Sequence, residues 1–415
     1  MSILIRHAFL NNSYVDILIK NNKIEKIADY IPTSLSDEVI KADGKAIIPA
    51  FYNMHTHAPM VLLRGVGEDK DLYEWLQTDI WPKEEKLSKE HIYIASRMAI
   101  LEMIKTGSVL FNDMYFFMDE TIRAAEEMGI RAMTSCVAMD LFDPDKTIQK
   151  QKDMSYFMNA PVQNKNIIKT VSCHAIYTTS RELLEFSRDL AKKHNSFLHI
   201  HLAETQKEVD DCLKKTGMTP TAFLDSLGLL TPKTILAHCV WLNEIDRKII
   251  KERGCLIVHC PTSNIKLNSG QMPLHTYQEE GLKIALGTDG AASNNSLSLF
   301  SEMKIAALSA KAQSHNITAA PINNIFQMAT RNAPEFLGIN AGYIQEGAVA
   351  DFMLIDITNP QAHPLKFLNS HLVYSLDSSC VTDVCCNGRF VLKDKHHPFE
   401  NEIIDTFKNL CNSFF

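Results

Sequence analysis

The sequence has no excess of positive charge, and this absence restricts the classes of partner. Its 415 residues contain 42 Lys and Arg against 49 Asp and Glu, a formal net charge of −7 at pH 7. Such a composition lacks the basic surface that a chain of phosphates requires. Apolar runs long enough to cross a membrane are also absent, and the N-terminus has no signal-peptide pattern. We therefore expect a cytoplasmic protein that binds neither nucleic acid nor membrane.

Two cofactor motifs are missing as well. The chain has 10 cysteines, but none of them shows Cys-x-x-Cys spacing. Several lie inside apolar runs, which is typical of reduced, buried thiols. No Gly-x-Gly-x-x-Gly follows a predicted strand, which argues against a dinucleotide-binding fold.

What the chain does contain, from residue 46 onward, is an alternation of apolar runs and helix-length amphipathic segments. This alternation is typical of βα units that build a parallel sheet. Eight units over about 250 residues favour an α/β fold with a closed (β/α)8 TIM barrel. The eight strands are predicted at residues 46–57, 107–115, 131–139, 167–174, 197–204, 234–240, 255–260 and 283–290.

The two ends of the chain have strand character instead. Near the N-terminus short apolar runs are separated by turns, including a hairpin signal at Asn21-Asn22. Near the C-terminus two more strand-like runs precede an amphipathic helix. Neither end has a large core of its own, so we expect them to pair. The predicted division is a small β-sandwich domain from 1–49 plus 346–415, which includes the C-terminal helix, and a barrel from 50–345.

Metal-compatible side chains stand where the predicted barrel strands end. In (β/α)8 proteins the active site lies at the C-terminal ends of the strands. Side chains two residues apart in a strand share a face, so the first two histidines point together and can hold one metal ion. The residues at this end are His55, His57, His174, His201, His238 and Asp289.

The motifs around these residues resemble the amidohydrolase superfamily, in its mononuclear-metal deaminase and chlorohydrolase branch. The resemblance implies the (β/α)8 fold and one divalent metal ion, most often zinc, with iron as an alternative. It further implies that His55, His57, His201 and Asp289 hold the ion. The motifs are Asn53-Met-His-Thr-His57, His201-Leu-Ala-Glu204, Leu236-Ala-His-Cys239, His259-Cys-Pro-Thr-Ser-Asn264 and Gly287-Thr-Asp-Gly-Ala-Ala-Ser-Asn294.

The chemistry of these residue types agrees with the resemblance. Zinc lowers the pKa of a coordinated water to ~7, which provides a nucleophile at neutral pH. His238 is predicted to orient or deprotonate that water, and Asp289 to accept its proton. Glu204 is predicted to protonate a ring nitrogen and to pass a proton to the leaving amine. The predicted reaction is hydrolytic deamination of a cyclic amidine.

Three other residues are predicted to have no ligand role. His199 lies deeper on the strand of His201 and is expected in the core, and His259 is expected to shape the loop after the seventh strand. Dinuclear relatives bridge two metals through a lysine at the end of the fourth strand. Lys169 comes too early in that strand, so a single metal is expected.

Within the branch, the segment after the first strand resembles deaminases of S-adenosylhomocysteine, methylthioadenosine and 5'-deoxyadenosine. The resemblance implies that Trp75 walls the pocket, Glu84 binds ribose hydroxyls and His174 contacts the purine. Relatives that bind the homocysteine tail use arginines near the end of the third strand. Residues 134–145 contain no Arg or Lys, so we expect small 5'-substituents to be preferred.

Other functions stay open at this stage. They are deamination of adenosine itself, of another purine, a pterin or a triazine, chlorohydrolase chemistry, and a scaffold without activity. The Arg-Phe signature of guanine deaminases is missing from residues 173–177. The pairing of Glu204 with His238 favours departure of an amine, and the complete ligand set argues against a scaffold. The partner is a small molecule, and formation of a homo-oligomer is left open.

Overall fold

The computed structural model describes residues 2–415, which form two β-sheets with helices around them. The N-terminal strands are β1 (Ser2–Leu10), β2 (Ser13–Lys20), β3 (Lys23–Ala28), β4 (Glu38–Lys41) and β5 (Lys45–Pro49). The central strands are β6 (Phe51–Thr56), β7 (Ser108–Tyr115), β8 (Arg131–Ala138), β9 (Ile167–Cys173), β10 (Leu198–Leu202), β11 (Thr234–His238), β12 (Leu256–His259) and β13 (Lys283–Leu286). The C-terminal strands are β14 (Phe352–Asp356), β15 (Val381–Cys386) and β16 (Arg389–Leu392).

The eight central strands form the predicted barrel. They are all parallel and lie in chain order from β6 to β13. Side-chain hydrogen bonds join the first strand to the residues after the last one: Asn53 Nδ2 donates to Thr288 Oγ1 (2.8 Å), and the Thr288 amide donates to Asn53 Oδ1 (3.0 Å). The Asp289 amide also donates to the His55 carbonyl (2.9 Å). The carboxyl ends of all eight strands therefore meet at one mouth.

Helices connect the strands and cover the barrel. The α-helices are α1 (Leu72–Trp75), α2 (Trp81–Glu84), α3 (Lys89–Lys105), α4 (Met118–Met128), α5 (Pro144–Asn159), α6 (Arg181–Lys193), α7 (Gln206–Thr216), α8 (Pro220–Ser226), α9 (Glu244–Arg253), α10 (Pro261–Lys266), α11 (Leu274–Glu279), α12 (Ala291–Asn294), α13 (Leu299–Ser314), α14 (Ile322–Thr330), α15 (Asn332–Leu337), α16 (Leu368–Tyr374) and α17 (Glu400–Phe414). A π-helical turn covers Leu76–Ile80, and short 3₁₀ segments cover Thr33–Leu35, Ala58–Leu63, Pro360–Ala362, Leu365–Phe367 and Ser378–Cys380. Within residues 2–415, no helix is both long and apolar enough to cross a membrane.

Local sequence explains where these helices begin and end. In α9 the Asn243 side chain accepts the Asp246 amide, and the Asp246 carboxylate accepts the Asn243 amide, which is a capping box. The helix ends at Gly254, whose left-handed φ of 70° suits glycine at this position. Ser180 caps α6 in a similar way, by accepting the Leu183 amide. Such caps fix the angle at which each helix returns to the barrel.

The terminal strands form one mixed sheet of eight strands, in the order β16-β15-β14-β5-β1-β2-β3 with β4 beside β1. The predicted hairpin at Asn21-Asn22 joins β2 to β3, and both residues have left-handed φ values (49° and 63°), as a type I′ turn requires. The single strand predicted over residues 46–57 is wrong, because it divides at Ala50. Lys45–Pro49 pairs with β14 in the terminal sheet, and Phe51–Thr56 begins the barrel. Both halves are largely buried, so alternation of polar and apolar residues does not divide them into two strands.

The two C-terminal helices pack against helices of the barrel. The α16 helix packs against α13 and α14, and α17 packs against α3, where Arg97 forms an ion pair with Glu402 (2.6 Å). The strands therefore divide into a barrel and a terminal sheet, whereas the C-terminal helices pack against helices of the barrel. We keep the division into 1–49 plus 346–415 and 50–345 as a proposal.

A buried ion pair joins the two sheets beneath the barrel. Asp351, which precedes β14, accepts hydrogen bonds from Arg131 Nη1 (2.7 Å), Tyr52 Oη (2.6 Å) and the Asn387 amide (2.6 Å). Asp351 is 1% exposed and Arg131 is 5% exposed. All the polar atoms involved are supplied by different parts of the chain, so the pair ties barrel strands to the terminal sheet.

Asp351→Ala is expected to destabilise the protein strongly. It leaves the Arg131 guanidinium buried without a counter-charge, which costs about 3–5 kcal/mol. Urea unfolding followed by circular dichroism measures the change. Asp43→Ala is the matched control, since Asp43 pairs with His7 at a site where both side chains are more than half exposed. If the two variants unfold at the same urea concentration, the buried pair does not hold the sheets together.

Candidate active site

Five metal-compatible side chains meet at the mouth of the barrel. His55, His201 and His238 stand at the ends of β6, β10 and β11, while His57 and Asp289 follow the ends of β6 and β13. They form two overlapping groups, His55 with His201 and His238, and His55 with His57 and Asp289. In each group the donor atoms lie within 4.8 Å of one another. The four predicted ligands are thus brought together, with His238 beside them.

The facing atoms of these residues are all electron donors. His201 Nε2 lies 3.2 Å from His55 Nε2, and Asp289 Oδ1 lies 3.4 Å from the Nε2 atoms of both His55 and His57. Imidazole nitrogens and a carboxylate that converge at such distances form a donor set that fits a divalent cation. Burial lowers the pKa of His55 to about 4, so its ring is neutral, as a ligand must be.

The Nδ1 atoms of His55 and His57 face away from the mouth and are hydrogen-bonded. His57 Nδ1 donates to the Met114 carbonyl (2.6 Å). His55 Nδ1 is hydrogen-bonded to His199 Nε2 (3.1 Å), and His199 Nδ1 in turn meets Asn112 Nδ2 (3.1 Å). These contacts orient the two Nε2 atoms toward the mouth. His199 is fully buried and hydrogen-bonded, as predicted for a core residue.

Asp289 is fixed through both of its oxygens. Oδ2 accepts hydrogen bonds from Ser263 Oγ (2.6 Å) and Ser293 Oγ (3.0 Å), and Oδ1 accepts one from the Gly290 amide (2.7 Å). Burial alone would raise its pKa, but the hydrogen bond with His55 and the surrounding histidines outweigh burial and hold the pKa well below its usual range. Asp289 is therefore an ionised carboxylate.

Glu204 and His238 lie beside the donor set. Glu204 Oε2 is 3.8 Å from His238 Nε2, and the two side chains are 4% and 2% exposed. Burial raises the pKa of Glu204, against the opposing charge of His238. A carboxyl group whose pKa is raised by burial holds its proton more readily than an exposed one and can return it to a substrate. The pair has the chemistry of a proton-transfer site.

Several residues at the strand ends have left-handed backbone conformations. The φ values are 48° at Ala203, 70° at His238, 52° at Cys239 and 63° at Asp289. This region is unfavourable for residues other than glycine, and it persists where the surrounding structure imposes it. Here it occurs where the chain turns at the end of a strand, and it places the side chains of His238 and Asp289 in the pocket wall.

All three residues predicted to bind substrate line the same pocket as Glu204, His238 and Asp289. The pocket holds about 660 Å³ of empty space, part of it open to solvent. His174 Nδ1 is hydrogen-bonded to Thr178 Oγ1 (2.7 Å), and burial lowers its pKa to about 3. Glu84 is half-buried in this wall, and burial raises its pKa. The remaining walls are mostly apolar: Met60, Leu72, Leu76, Ile80, Trp81, Phe116, Val137, Met139 and Leu267.

One wall of the pocket is the helical segment Leu72–Glu84, interrupted by the π-helical turn. Trp75 lies inside this segment, 4% exposed, and its Nε1 donates to the Val66 carbonyl (3.0 Å). Gly67 has a φ of 74°, and a Cβ there would lie 2.8 Å from Trp75 and Asp79. The glycine is what allows the indole to pack this closely.

A second cavity adjoins the first and shares Trp81, Glu84, Phe116 and Met139 with it. Its wall includes Lys146 and Lys150 of α5, neither of which has a carboxylate partner within 4.0 Å among residues 2–415. The prediction from residues 134–145 therefore missed two cations that follow directly in sequence. Their positions on α5 place both side chains in the wall of the second cavity.

Other residues that support the site were also missed by the sequence analysis. Glu208 accepts the amides of Ala203 (2.9 Å) and Glu204 (3.0 Å), and burial raises its pKa to about 7. Thr205-x-x-Glu208 is a capping-box spacing, which could have drawn attention to it. Asn264 and Ser269 contact His238 and Glu204. Only Asn264 lies in a motif recognised in the sequence.

Two residues predicted to have no ligand role are indeed outside the donor set. Lys169 Nζ donates to the carbonyls of Phe157 and Ala160, away from the mouth. His259 is buried at the end of β12, and neither of its ring nitrogens has a hydrogen-bond partner among residues 2–415.

Known proteins similar to this chain cover nearly all of it. A 5'-deoxyadenosine deaminase of Methanosphaera stadtmanae is 43% identical over 381 residues, which are 91% of this chain and 90% of that protein. A 5-methylthioadenosine/S-adenosylhomocysteine deaminase of Thermococcus sibiricus is 43% identical over 401 residues, 94% of each chain. The crystal structure of an adenosine deaminase from Xanthomonas campestris with bound zinc superposes with a TM-score of 0.90 at 29% identity, covering 100% of this chain and 98% of that chain.

The sequence pattern of the amidohydrolase family matches residues 46–391. This range contains the whole barrel and all the donor residues at its mouth. Together with relatives at 43% identity over nine-tenths of the chain, the match shows that this chain belongs to the amidohydrolase family of hydrolytic enzymes.

Proposed function

We propose that this protein is a metal-dependent hydrolytic deaminase that releases ammonia from the adenine ring of an adenosine derivative. The substrates considered are 5'-deoxyadenosine, methylthioadenosine, adenosine and S-adenosylhomocysteine. The observation that carries the proposal is the juxtaposition of Glu204 and His238, 3.8 Å apart, with the converging His/Asp donors in one pocket. The names of the relatives support the choice of an adenosine-type substrate.

The proposed metal site uses His55, His57, His201 and Asp289 as ligands of one divalent ion. Three imidazoles and one carboxylate suit zinc, which we propose as the native metal, and they accept iron as well. When bound, the ion supplies a water molecule that is nucleophilic at neutral pH. The absence of a lysine at the end of β9 supports a single ion.

The proposed reaction begins with addition of water to C6 of the adenine ring. His238 orients the water and takes up one of its protons through Nε2 as the oxygen bonds to C6, and Asp289 accepts the second proton only when the C6–N bond breaks and the carbonyl forms. Glu204 gives its proton to N1 of the ring, which makes C6 more electrophilic. A proton returned to the amino group then lets ammonia leave, and the product has an oxygen at C6 in place of nitrogen.

The proposed substrate contacts lie around this centre. Glu84 accepts hydrogen bonds from the ribose hydroxyls, because its half-buried carboxylate faces a largely apolar wall that offers few donors. His174 is neutral and faces the purine, and Trp75 closes one side. The apolar residues Leu76, Ile80 and others of this wall suit a methyl or methylthio group at the 5' position.

A panel of nucleosides tests both the reaction and the 5'-substituent. We expect ammonia release from methylthioadenosine and 5'-deoxyadenosine with kcat/KM at least about tenfold above that for S-adenosylhomocysteine, because binding a longer charged tail requires partners that the inner pocket lacks. Ammonia is measured enzymatically on the zinc-loaded protein. No release from any adenosine derivative, with the metal bound, contradicts the proposed function.

Lys146→Ala and Lys150→Ala test whether the homocysteine tail of S-adenosylhomocysteine reaches the second cavity. If the tail reaches the second cavity, these variants lower turnover of S-adenosylhomocysteine and leave that of 5'-deoxyadenosine unchanged. Equal or better turnover of S-adenosylhomocysteine by the unmodified protein contradicts the preference for small substituents. A cytoplasmic location and a homo-oligomeric state stay predictions.

A further inference from the structure

A short segment after β12 contacts all three groups that the proposed mechanism uses for proton transfer. It consists of α10 and the turn that follows, residues 261–270, which we call the β12 segment. Its side chains Ser263, Asn264 and Ser269 are 0%, 1% and 3% exposed. Each donates or accepts one hydrogen bond to a different member of the site.

Asn264 holds His238. Its Oδ1 lies 2.8 Å from His238 Nδ1. An amide oxygen accepts hydrogen bonds only, so the ring proton belongs on Nδ1 and the Nε2 lone pair is left facing the pocket. That tautomer is the one that can take a proton from water. Without Asn264 the buried ring is free to carry its proton on Nε2.

Ser269 holds Glu204. Its Oγ donates to Glu204 Oε1 (3.0 Å), which leaves Oε2 as the oxygen on the side of His238. The Glu204 amide is held separately, by Glu208 (3.0 Å). The rotation of the Glu204 carboxyl group about the Cγ–Cδ bond therefore depends on Ser269.

The two contacts are linked through the backbone of the segment. The Asn264 carbonyl accepts the amides of Ser269 (2.9 Å) and Gly270 (3.4 Å). Trp241 Nε1 donates to the Ser269 carbonyl (2.6 Å), which ties the turn to the loop after β11. Gly270 has a φ of 129°, and a Cβ there would lie 2.9–3.1 Å from Val240 and Trp241. The distance between Asn264 and Ser269 is thus fixed by the fold.

From this geometry we infer that the β12 segment is a positioning device for the proton-transfer pair, in which Asn264 sets the tautomer of His238 and Ser269 sets the orientation of Glu204. Ser263 contributes a third contact, in which its Oγ donates to Asp289 Oδ2 (2.6 Å). This inference rests on the proposed function for its kinetic consequences. The hydrogen bonds themselves are independent of the substrate.

Asn264→Ala is expected to lower kcat by about 10–100-fold, with KM for methylthioadenosine changed less than about threefold and metal content unchanged. Ser269→Ala is expected to act in the same direction. Asn264→Asp keeps the acceptor and is expected to retain most of kcat. If Asn264→Asp is as impaired as Asn264→Ala, the amide does not act as an acceptor and the inference fails.

A matched control and double variants separate positioning from general damage. Ser187→Ala removes a buried hydrogen bond within α6, from Ser187 Oγ to the Leu183 carbonyl (2.7 Å), which involves neither proton-transfer group. It is expected to leave kcat unchanged. In a His238→Ala background, Asn264→Ala is expected to have no further effect, since it acts through His238. A further loss there of the same size as in the unmodified enzyme overturns the inference.

A spectroscopic measurement makes the test independent of turnover. Histidine labelled with ¹⁵N in the ring reports which nitrogen carries the proton, and the His238 signal is assigned by its disappearance in His238→Gln. We expect the Nδ1-protonated form in the zinc-loaded protein and its loss in Asn264→Ala. An unchanged tautomer in Asn264→Ala refutes the inference, whereas absence of nucleoside turnover with the expected tautomer refutes only the proposed function.

Discussion

Glu204→Gln is expected to lower kcat for methylthioadenosine or 5'-deoxyadenosine by about 10³-fold, because an amide cannot transfer the proton that the ring nitrogen and the leaving amine require. Glutamine has nearly the same shape, and its amide oxygen can still accept the hydrogen bond from Ser269 Oγ. Substrate binding is therefore expected to persist, with KM changed much less than kcat. Ammonia release under saturating substrate measures the effect.

The control for this substitution is Glu279→Gln, a change of the same kind at a side chain that is 67% exposed. It is expected to leave kcat and KM unaltered. Metal content must be the same in both variants, so that a loss of the ion does not imitate a loss of proton transfer. A Glu204→Gln enzyme that keeps more than about a tenth of its kcat contradicts the role assigned to this carboxyl group.

Removal of the metal is expected to reduce activity as strongly as Glu204→Gln does. Dialysis against a chelator should reduce ammonia release by more than about 10³-fold, since without the ion no nucleophile is available at neutral pH. One equivalent of zinc per chain should restore it. The melting temperature should fall on removal and recover on addition, because an ion that binds only the folded protein stabilises it. Elemental analysis and calorimetry measure these quantities.

Asp289→Ala tests whether the effect of metal removal depends on the proposed ligands. It removes the carboxylate that lies 3.4 Å from both His55 and His57 and should weaken metal binding together with activity. His7→Ala is the control, since His7 is a half-exposed histidine of the terminal sheet and should bind no metal. Two equivalents of metal per chain, or full metal content in Asp289→Ala, contradicts the proposed mononuclear site.

The architecture of the barrel could be predicted from the chain alone. Parallel strands buried on both faces are continuous apolar runs, and the helices between them have a clear amphipathic period, so the eight βα units are visible in one dimension. Once the barrel is recognised, its active end is known, and the residues that finish each strand are candidates. His55, His57, His201, His238 and Asp289 were found in this way, and the structure brings all five together.

Contacts between distant parts of the chain could not be predicted in this way. Residues 46–57 were predicted as one strand because β5 and β6 are both buried, and only pairing with β14 assigns β5 to the terminal sheet. Lys146 and Lys150 were missed because they lie just beyond residues 134–145, in the first two turns of α5. Their proximity to the pocket depends on how α5 packs.

The fold class, the mouth of the barrel and the metal-compatible side chains at the strand ends could thus be predicted from local periodicity and side-chain chemistry, while the ligand set was implied by the family resemblance. Only the tertiary structure decided which groups hold those residues in place. Asn264 and Ser269 reach His238 and Glu204 across 26 and 65 residues of chain. Hydrogen bonds over such separations are set by the packing of strands and loops, for which a single sequence contains no pattern.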